Sequence, residues 1–186
     1  GSVESDLLHD LTCDGLQCTV GDLLLKVTIS IRENLSLSDA TIVQGSEDSY
    51  LYEYIHNRSS LSKFTGSGAA MVELGPCDGN QLDQSRILHI GKQLAMHVLA
   101  AKPQYLTRNA VPDDDVQKAK ATIASQLRDS EKPKDIVDQI VQGRLKKHFS
   151  DLCLHDQAHM IQDGNPPISE FLQSEGMRLL QFRLLQ

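Results

Sequence analysis

One long amphipathic stretch, residues 82–101, constrains the fold of this chain most strongly. Ile90, Leu94 and Val98 recur in it at helical spacing, and Pro103 follows shortly after its end. This spacing is typical of a helix with one buried face, and a proline disfavours helical backbone in the residue before it. We therefore predict a core helix over 82–101 that packs against other elements through this apolar face.

Strand patterns predict what the helix covers. Residues 35–44 and 49–56 alternate apolar and polar side chains, residues 69–75 form another short apolar run, and turns separate the three. Residues 177–186 are predicted as a final strand that returns to the sheet. The predicted fold class is α+β, with a three- to four-stranded antiparallel sheet packed on helices.

A helical hairpin is predicted over residues 113–152. Each half carries one narrow apolar stripe, and Pro133 lies where a first-turn proline fits the second helix. Because the outer faces are rich in charge, the hairpin is expected to project into solvent. It separates a core (1–112) from a return segment (153–186). The stripes are Val116, Ala119, Ile123, Ala124 and Leu127 in the first helix, and Ile136, Val137, Ile140, Val141 and Leu145 in the second.

Two shorter helices complete the prediction. Thr19 is a suitable N-cap for a helix that continues to about residue 33, with Leu23, Leu24, Val27 and Ile31 on one face. A second short helix is predicted over 168–176, just before the final strand.

Charge and cysteine usage narrow the classes of function. The 186 residues carry a net charge of −7 with no long basic run, so nucleic-acid binding is not expected. No apolar run approaches the roughly 18 residues that a membrane span needs, so no membrane partner is expected. The four cysteines are irregularly spaced, which fits a reducing compartment better than a disulfide framework.

The common catalytic motifs are not found. The sequence has no phosphate loop, nucleophile elbow, His-Glu-x-x-His pair or dinucleotide fingerprint. Gly66 and Gly68 precede a strand rather than a helix, which favours a turn over a phosphate cradle. We expect no enzymatic activity, no catalytic residue and no cofactor.

Three residues form the candidate metal set: Cys153, His155 and His159. On a helix the two histidines would share a face and could bind Zn²⁺ or Cu²⁺. No second pair of ligands is spaced to complete a tetrahedral site, so the favoured interpretation is two exposed loop histidines and no metal.

The histidines of the core helix have their own alternatives. His97 lies at the edge of the apolar stripe, where a histidine hydrogen-bonded to a neighbouring strand is favoured over a catalytic one. His89 and Lys92 fall on the polar side. No acid or nucleophile is spaced to make a catalytic pair with any of them.

Five segments, in their order along the chain, resemble one protein family. They are "SIRENLSL", "LYEYIHN", "GAAMVEL", "GKQLAMHVLAAKPQYL" and "KPKDIVDQIVQGRLKKHFSDLCLHDQ". The resemblance runs from about residue 19 to the end. It is to elongation factor Ts, the guanine-nucleotide exchange factor of the translational GTPase elongation factor Tu.

This resemblance implies a function by binding alone. The factor presses on the nucleotide domain of elongation factor Tu and disturbs the Mg²⁺ and phosphate environment, so that GDP leaves. By match to the family motifs, Ile31 and His56 belong to the surface that presses on the GTPase, and we assign Arg32 and Tyr54 to it with them. Partners implied are elongation factor Tu, GDP-bound and nucleotide-free, and a homodimer through the core.

Departures from the family pattern qualify these expectations. Arg32 replaces the family's glycine, and neither the N-terminal helical domain nor the "TDFV" wedge motif is present. We expect the chain to be the C-terminal core of a longer member of the family. On its own, this core is expected to bind the GTPase weakly and to exchange its nucleotide slowly. An exchange-inactive interaction or assembly protein is the alternative. The "SLSKF" insertion resembles organellar members, which favours the mitochondrial matrix over a plastid or the bacterial cytoplasm.

Overall fold

The computed structural model describes residues 10, 12, 15, 17–77, 83–127 and 134–186. These residues belong to two compact units, Gly1–Gly45 and Ser46–Gln186.

A single α-helix, α1 (Val20–Ile31), is the main element described in the first unit. The Thr19 hydroxyl accepts from the Asp22 backbone N–H at 3.1 Å, and the Asp22 carboxylate accepts from the Thr19 N–H at 3.0 Å. This reciprocal pair is a capping box, which satisfies two N–H groups that the first turn cannot. The predicted helix and its Thr19 cap are confirmed, although no residue of α1 is buried.

The prediction of a strand over residues 35–44 was wrong. This segment has no regular secondary structure beyond a single bridge residue, Thr41. Alternating side chains suit a half-buried strand, but alternation alone does not establish the ladder of backbone hydrogen bonds that a strand needs.

The second unit is built on a three-stranded antiparallel sheet. Its strands are β1 (Tyr50–His56), β2 (Gly68–Pro76) and β3 (Met177–Leu185), in the spatial order β1-β2-β3. The register pairs Tyr54 with Ala70 in β1 and β2, and a shift after Glu73 marks an irregularity in the pairing with β3. The α+β fold class and the returning final strand are confirmed.

The core helix α2 (Gln84–Ala101) covers one face of this sheet. Asp83 caps it by accepting from the Ser85 N–H at 3.2 Å, and it ends at Ala101, with Lys102 as the C-cap before Pro103. The predicted helix is confirmed over its described residues, with His89 and Lys92 exposed as expected. The fully buried side chains of α2 and the sheet include Ile87, Ile90, Leu94, Val98, Val72 and Leu74.

A glycine allows the closest contact between helix and sheet. A Cβ on Gly91 would lie 2.0 Å from the Tyr52 ring, a distance that no side chain could occupy without moving the ring. Gly91 therefore lets α2 approach β1 closely, which offsets its poor helix propensity.

The helical hairpin consists of α3 (Asp113–Ser125) and α4 (Lys134–Leu152). The Arg144 guanidinium donates to the Gln126 side chain at 3.2 Å, but of the predicted stripes only Val141 and Leu145 are buried. Most of the hairpin surface is exposed, as predicted. Pro133 lies outside the described residues.

Three short helices complete the described chain. Single 3-10 turns, Arg108–Ala110 and Leu154–Asp156, flank the hairpin, and α5 (Ile168–Ser174) precedes β3 as predicted. Across the described ranges, no helix combines the length and apolar character that crossing a bilayer requires.

Candidate functional site

Two of the four predicted site residues meet at the end of β1. The Tyr54 hydroxyl lies 3.2 Å from His56 Nδ1, and the ring centroids are 6.1 Å apart. The residues are two apart in the strand, so their side chains share one face of the sheet. If the hydroxyl donates to Nδ1, the proton of the neutral imidazole lies on Nε2. The exposed ring can then donate to an acceptor on another molecule.

An open groove of about 510 Å³ lies beside this pair. Leu99 of α2 is buried at its base, whereas Met96 is 41% exposed. The groove thus combines an apolar floor with the polar tips of Tyr54 and His56, a combination common in sites that bind another molecule. Its lining also includes Ser67, Gly68, Ala100 and Gln186.

The other two predicted site residues, Ile31 and Arg32, are consecutive in the first unit. Ile31 is the last residue of α1 and is 46% exposed. Arg32 is the C-cap, with φ 60° and ψ 29°, and its N–H donates to the Thr28 carbonyl at 2.9 Å. This left-handed backbone is the conformation that glycine adopts most readily at the end of a helix. Arg32 adopts this conformation with its side chain in place, so the turn after α1 forms without glycine.

One buried carboxylate was not recognised from the sequence. Glu73 of β2 is 1% exposed and accepts from Ser46 N–H at 2.7 Å, from Ser49 Oγ at 2.5 Å and from Gln181 Nε2 at 2.5 Å. Burial raises the pKa of this carboxyl, but the donors, led by Ser46 and Ser49, outweigh it and lower the pKa to about 2. Glu73 therefore fixes the turn before β1 onto the sheet as an ionised, fully bonded group.

His97 is buried more deeply than predicted, and its partners are not on a strand. Its Nδ1 accepts from the Met160 N–H at 3.3 Å, so Nε2 carries the proton and donates to Gln157 Oε1 at 3.0 Å. Gln157 in turn donates to the Asp151 carbonyl at 2.7 Å. Burial lowers the pKa of His97, and the bond to Gln157 opposes that shift. The imidazole thus ties α2 to the segment after α4.

The prediction that His155 and His159 are exposed was wrong. His159 is fully buried beside the Phe171 ring, with ring centroids 4.9 Å apart, and His155 is half-buried. His159 Nδ1 accepts from the Ile161 and Gln162 N–H groups at 3.2 and 3.1 Å. Burial, assisted by the neighbouring His97, lowers the pKa of His159 to about 4.

The candidate metal set is not assembled as a helical pair. Cys153 lies directly after α4, His155 in the following 3-10 turn and His159 in the loop beyond it. Within the described part of the chain, no group of three histidine, cysteine or acidic residues is placed to hold a metal ion.

Comparison with known proteins gives a consistent family assignment. The sequence model of one family, described as Elongation factor TS, matches residues 3–186. The match begins earlier than the resemblance recognised in the sequence, which started at about residue 19.

Individual relatives agree with the family model. Elongation factor Ts of Magnetococcus marinus is 32% identical over 161 residues, which are 87% of this chain and 49% of the relative. That of Levilactobacillus brevis is 28% identical over 171 residues, 92% of this chain and 52% of the relative. Mitochondrial elongation factor Ts of Ricinus communis is 32% identical over 149 residues, 80% of this chain and 38% of the relative. This chain thus spans about half the length of its bacterial relatives.

The match along nearly the whole chain, together with the observed α+β fold, assigns the family. The chain belongs to the elongation factor Ts family of translation elongation factors.

Proposed function

We propose that this chain promotes GDP release from elongation factor Tu, by binding the GTPase and without forming or breaking a covalent bond. The main supporting observation is the contact between half-buried Tyr54 and exposed His56 beside an open groove, in a chain whose relatives are named elongation factor Ts. The function follows from a difference in affinity. An exchange factor must bind nucleotide-free GTPase more tightly than the GDP complex, because linkage makes the two ligands weaken each other by the same factor.

Four residues are proposed to contact the GTPase. Tyr54 and His56 supply polar groups at the end of β1, next to the apolar floor of the groove. Ile31 supplies an exposed apolar side chain at the end of α1, and Arg32 supplies a guanidinium on the turn that follows. Tyrosine and arginine are among the residue types that carry a large share of the binding energy once a partner buries them.

The proposed location is an organelle, with the mitochondrial matrix preferred and a plastid or the bacterial cytoplasm as alternatives. A mitochondrial relative and several bacterial relatives support this range. A homodimer through the core is proposed as a second partnership.

An exchange-inactive interaction or assembly protein is the second candidate. Arg32 at the family's glycine position motivates it, because a bulky charged side chain there changes what can approach. The left-handed turn forms with Arg32 in place, however, which favours the exchange factor.

Titration of the chain into elongation factor Tu tests the proposal. We expect at least tenfold tighter binding to the nucleotide-free form than to the GDP form, and faster release of a fluorescent GDP analogue. Equal affinity for both forms would support the interaction protein instead. No binding to either form would contradict the exchange function.

A further inference from the structure

The loop between β1 and β2, residues 57–67, presents two large apolar side chains to solvent. Leu61 is 95% exposed and Phe64 is 80% exposed. Single exposed apolar residues are common on protein surfaces, but here two large ones lie three positions apart on the same hairpin loop. Only 4% of the residues are aromatic, so a phenylalanine exposed to solvent is unusual in this chain.

Local hydrogen bonds hold this loop in a defined shape. Ser59 Oγ accepts from the Leu61 N–H at 3.1 Å, and Ser62 Oγ accepts from the Phe64 N–H at 3.2 Å. Ser59 N–H also donates to the Thr65 carbonyl across the loop at 3.0 Å. Each apolar residue thus has its own amide satisfied by a serine two positions earlier, so its side chain is displayed from an ordered turn.

The base of the loop is joined to the proposed contact residue His56. The Ser67 N–H donates to the His56 carbonyl at 2.9 Å, and a Cβ on Gly66 would lie 2.3 Å from that same oxygen. Only glycine allows this close approach, so the loop continues directly from the end of β1. The Leu61 and Phe64 side chains therefore belong to the same end of the sheet as the Tyr54–His56 pair.

The charge of the loop is opposite to that of the whole chain. Residues 57–67 contain Arg58 and Lys63 and no acidic residue, whereas the chain carries a net charge of −7. Arg58 reaches back to Glu53 at 3.4 Å, so Lys63 is the cation placed next to Phe64. An apolar pair beside a cation is complementary to an apolar pocket bordered by carboxylates.

We infer that Leu61 and Phe64 are an anchor that inserts into a carboxylate-bordered apolar pocket on the same GTPase that the Tyr54–His56 pair contacts. The inference rests on the function proposed above. The anchor widens the contact surface beyond the strand end, and the two apolar side chains leave water only when the partner is bound.

The decisive comparison is between the Leu61→Ser/Phe64→Ser double variant and wild-type chain, with nucleotide-free elongation factor Tu as the probe. We expect the double variant to bind about 30-fold more weakly, because two anchor side chains lose their burial. Met160→Ser, at a side chain that is 61% exposed elsewhere in the same unit, is the matched control and should bind as the wild type does.

Charge reversal tests the chemistry of the pocket. Lys63→Glu should lower the association rate by about three- to tenfold at low salt, while Lys147→Glu, at an exposed position on α4, should leave it unchanged. Equal rates for the two variants would overturn the carboxylate border.

Other outcomes assign the loop elsewhere. If wild-type chain binds the GTPase and the double variant binds within twofold of it, the anchor is overturned while the proposed function stands. If wild-type chain binds no form of the GTPase, the proposed function itself fails.

Sedimentation with phosphatidylglycerol vesicles that is lost in the double variant would overturn the inference in favour of a membrane. A dimer on size exclusion that the double variant abolishes would overturn it in favour of a second copy of the chain.

Discussion

Helices α1 and α2 are built on similar apolar patterns, yet only one of them is buried. Helix α1 carries Leu23, Val27 and Ile31 at helical spacing, and these are 37%, 39% and 46% exposed. In α2, Ile90, Leu94 and Val98 have the same kind of spacing and are completely buried.

The difference in burial between α1 and α2 shows how much an apolar stripe in the sequence can predict. Periodicity predicts that a helix forms and which of its faces is apolar. It does not say which element, if any, covers that face. For α2 the cover is the sheet of the second unit, whose inward residues are Ala70, Val72 and Leu74.

Truncation at matched leucines is the strongest way to break this comparison. Leu94→Ala should lower the free energy of unfolding by about 3 kcal/mol, because it removes buried methyl groups and leaves a cavity. Leu25→Ala, at a residue that is 59% exposed in α1, should change it by less than about 0.5 kcal/mol. Urea titration followed by circular dichroism measures both, and equal losses would show that α1 is buried in solution.

Lowering the pH should destabilise the second unit in particular, because the buried groups Glu73, His97 and His159 all lie in it. Folding lowers the pKa of His159 from 6.5 to about 4. Between these two pH values the histidine is therefore protonated in the unfolded chain but not in the folded one. Stability present above pH 6.5 is then lost as pH falls toward 4, by on the order of 3 kcal/mol. The pKa of Glu73 is lowered from 4.5 to about 2, so a similar loss follows between pH 4.5 and 2.

Substitution of His159 measures how much of the stability lost in acid is due to this histidine. His159→Phe should flatten the fall in stability between pH 6.5 and 4, as measured by urea titration at each pH. His89→Phe, at an exposed position of α2, is the control and should keep the full slope. An unchanged slope in His159→Phe would mean that another group supplies the protons.

A smaller effect is expected at the turn after α1. Arg32→Gly should stabilise this helix end by about 0.5 kcal/mol, because glycine adopts φ 60° without the penalty that a side chain incurs. Amide hydrogen exchange of the last turn of α1 should slow by about twofold. Faster exchange would indicate that the Arg32 side chain itself stabilises the turn.

Sequence patterns predicted the long elements and missed the contacts between distant segments. Helix α2 and the hairpin carry repeated stripes with clear end signals, so local sequence was sufficient for them. Residues 35–44 show the limit of alternation, because they resemble a strand without forming one.

The candidate site shows the same limit. Tyr54 and His56 were selected by family resemblance, and their contact follows from two-residue spacing in a strand. The burial of Glu73 depends instead on Ser46, Ser49 and Gln181, which are 27, 24 and 108 residues away. A lone glutamate between apolar residues of a strand is ordinarily read as a solvent-facing position, so no local signal distinguished it.

The affinity of the His56→Ala variant for nucleotide-free elongation factor Tu tests the central claim most directly. The strand end, rather than the buried core, is proposed to contact the GTPase. His56→Ala should therefore weaken binding by about tenfold or more while leaving the urea midpoint within error of the wild type. Wild-type affinity in His56→Ala, at unchanged stability, would contradict the placement of the partner at the end of β1.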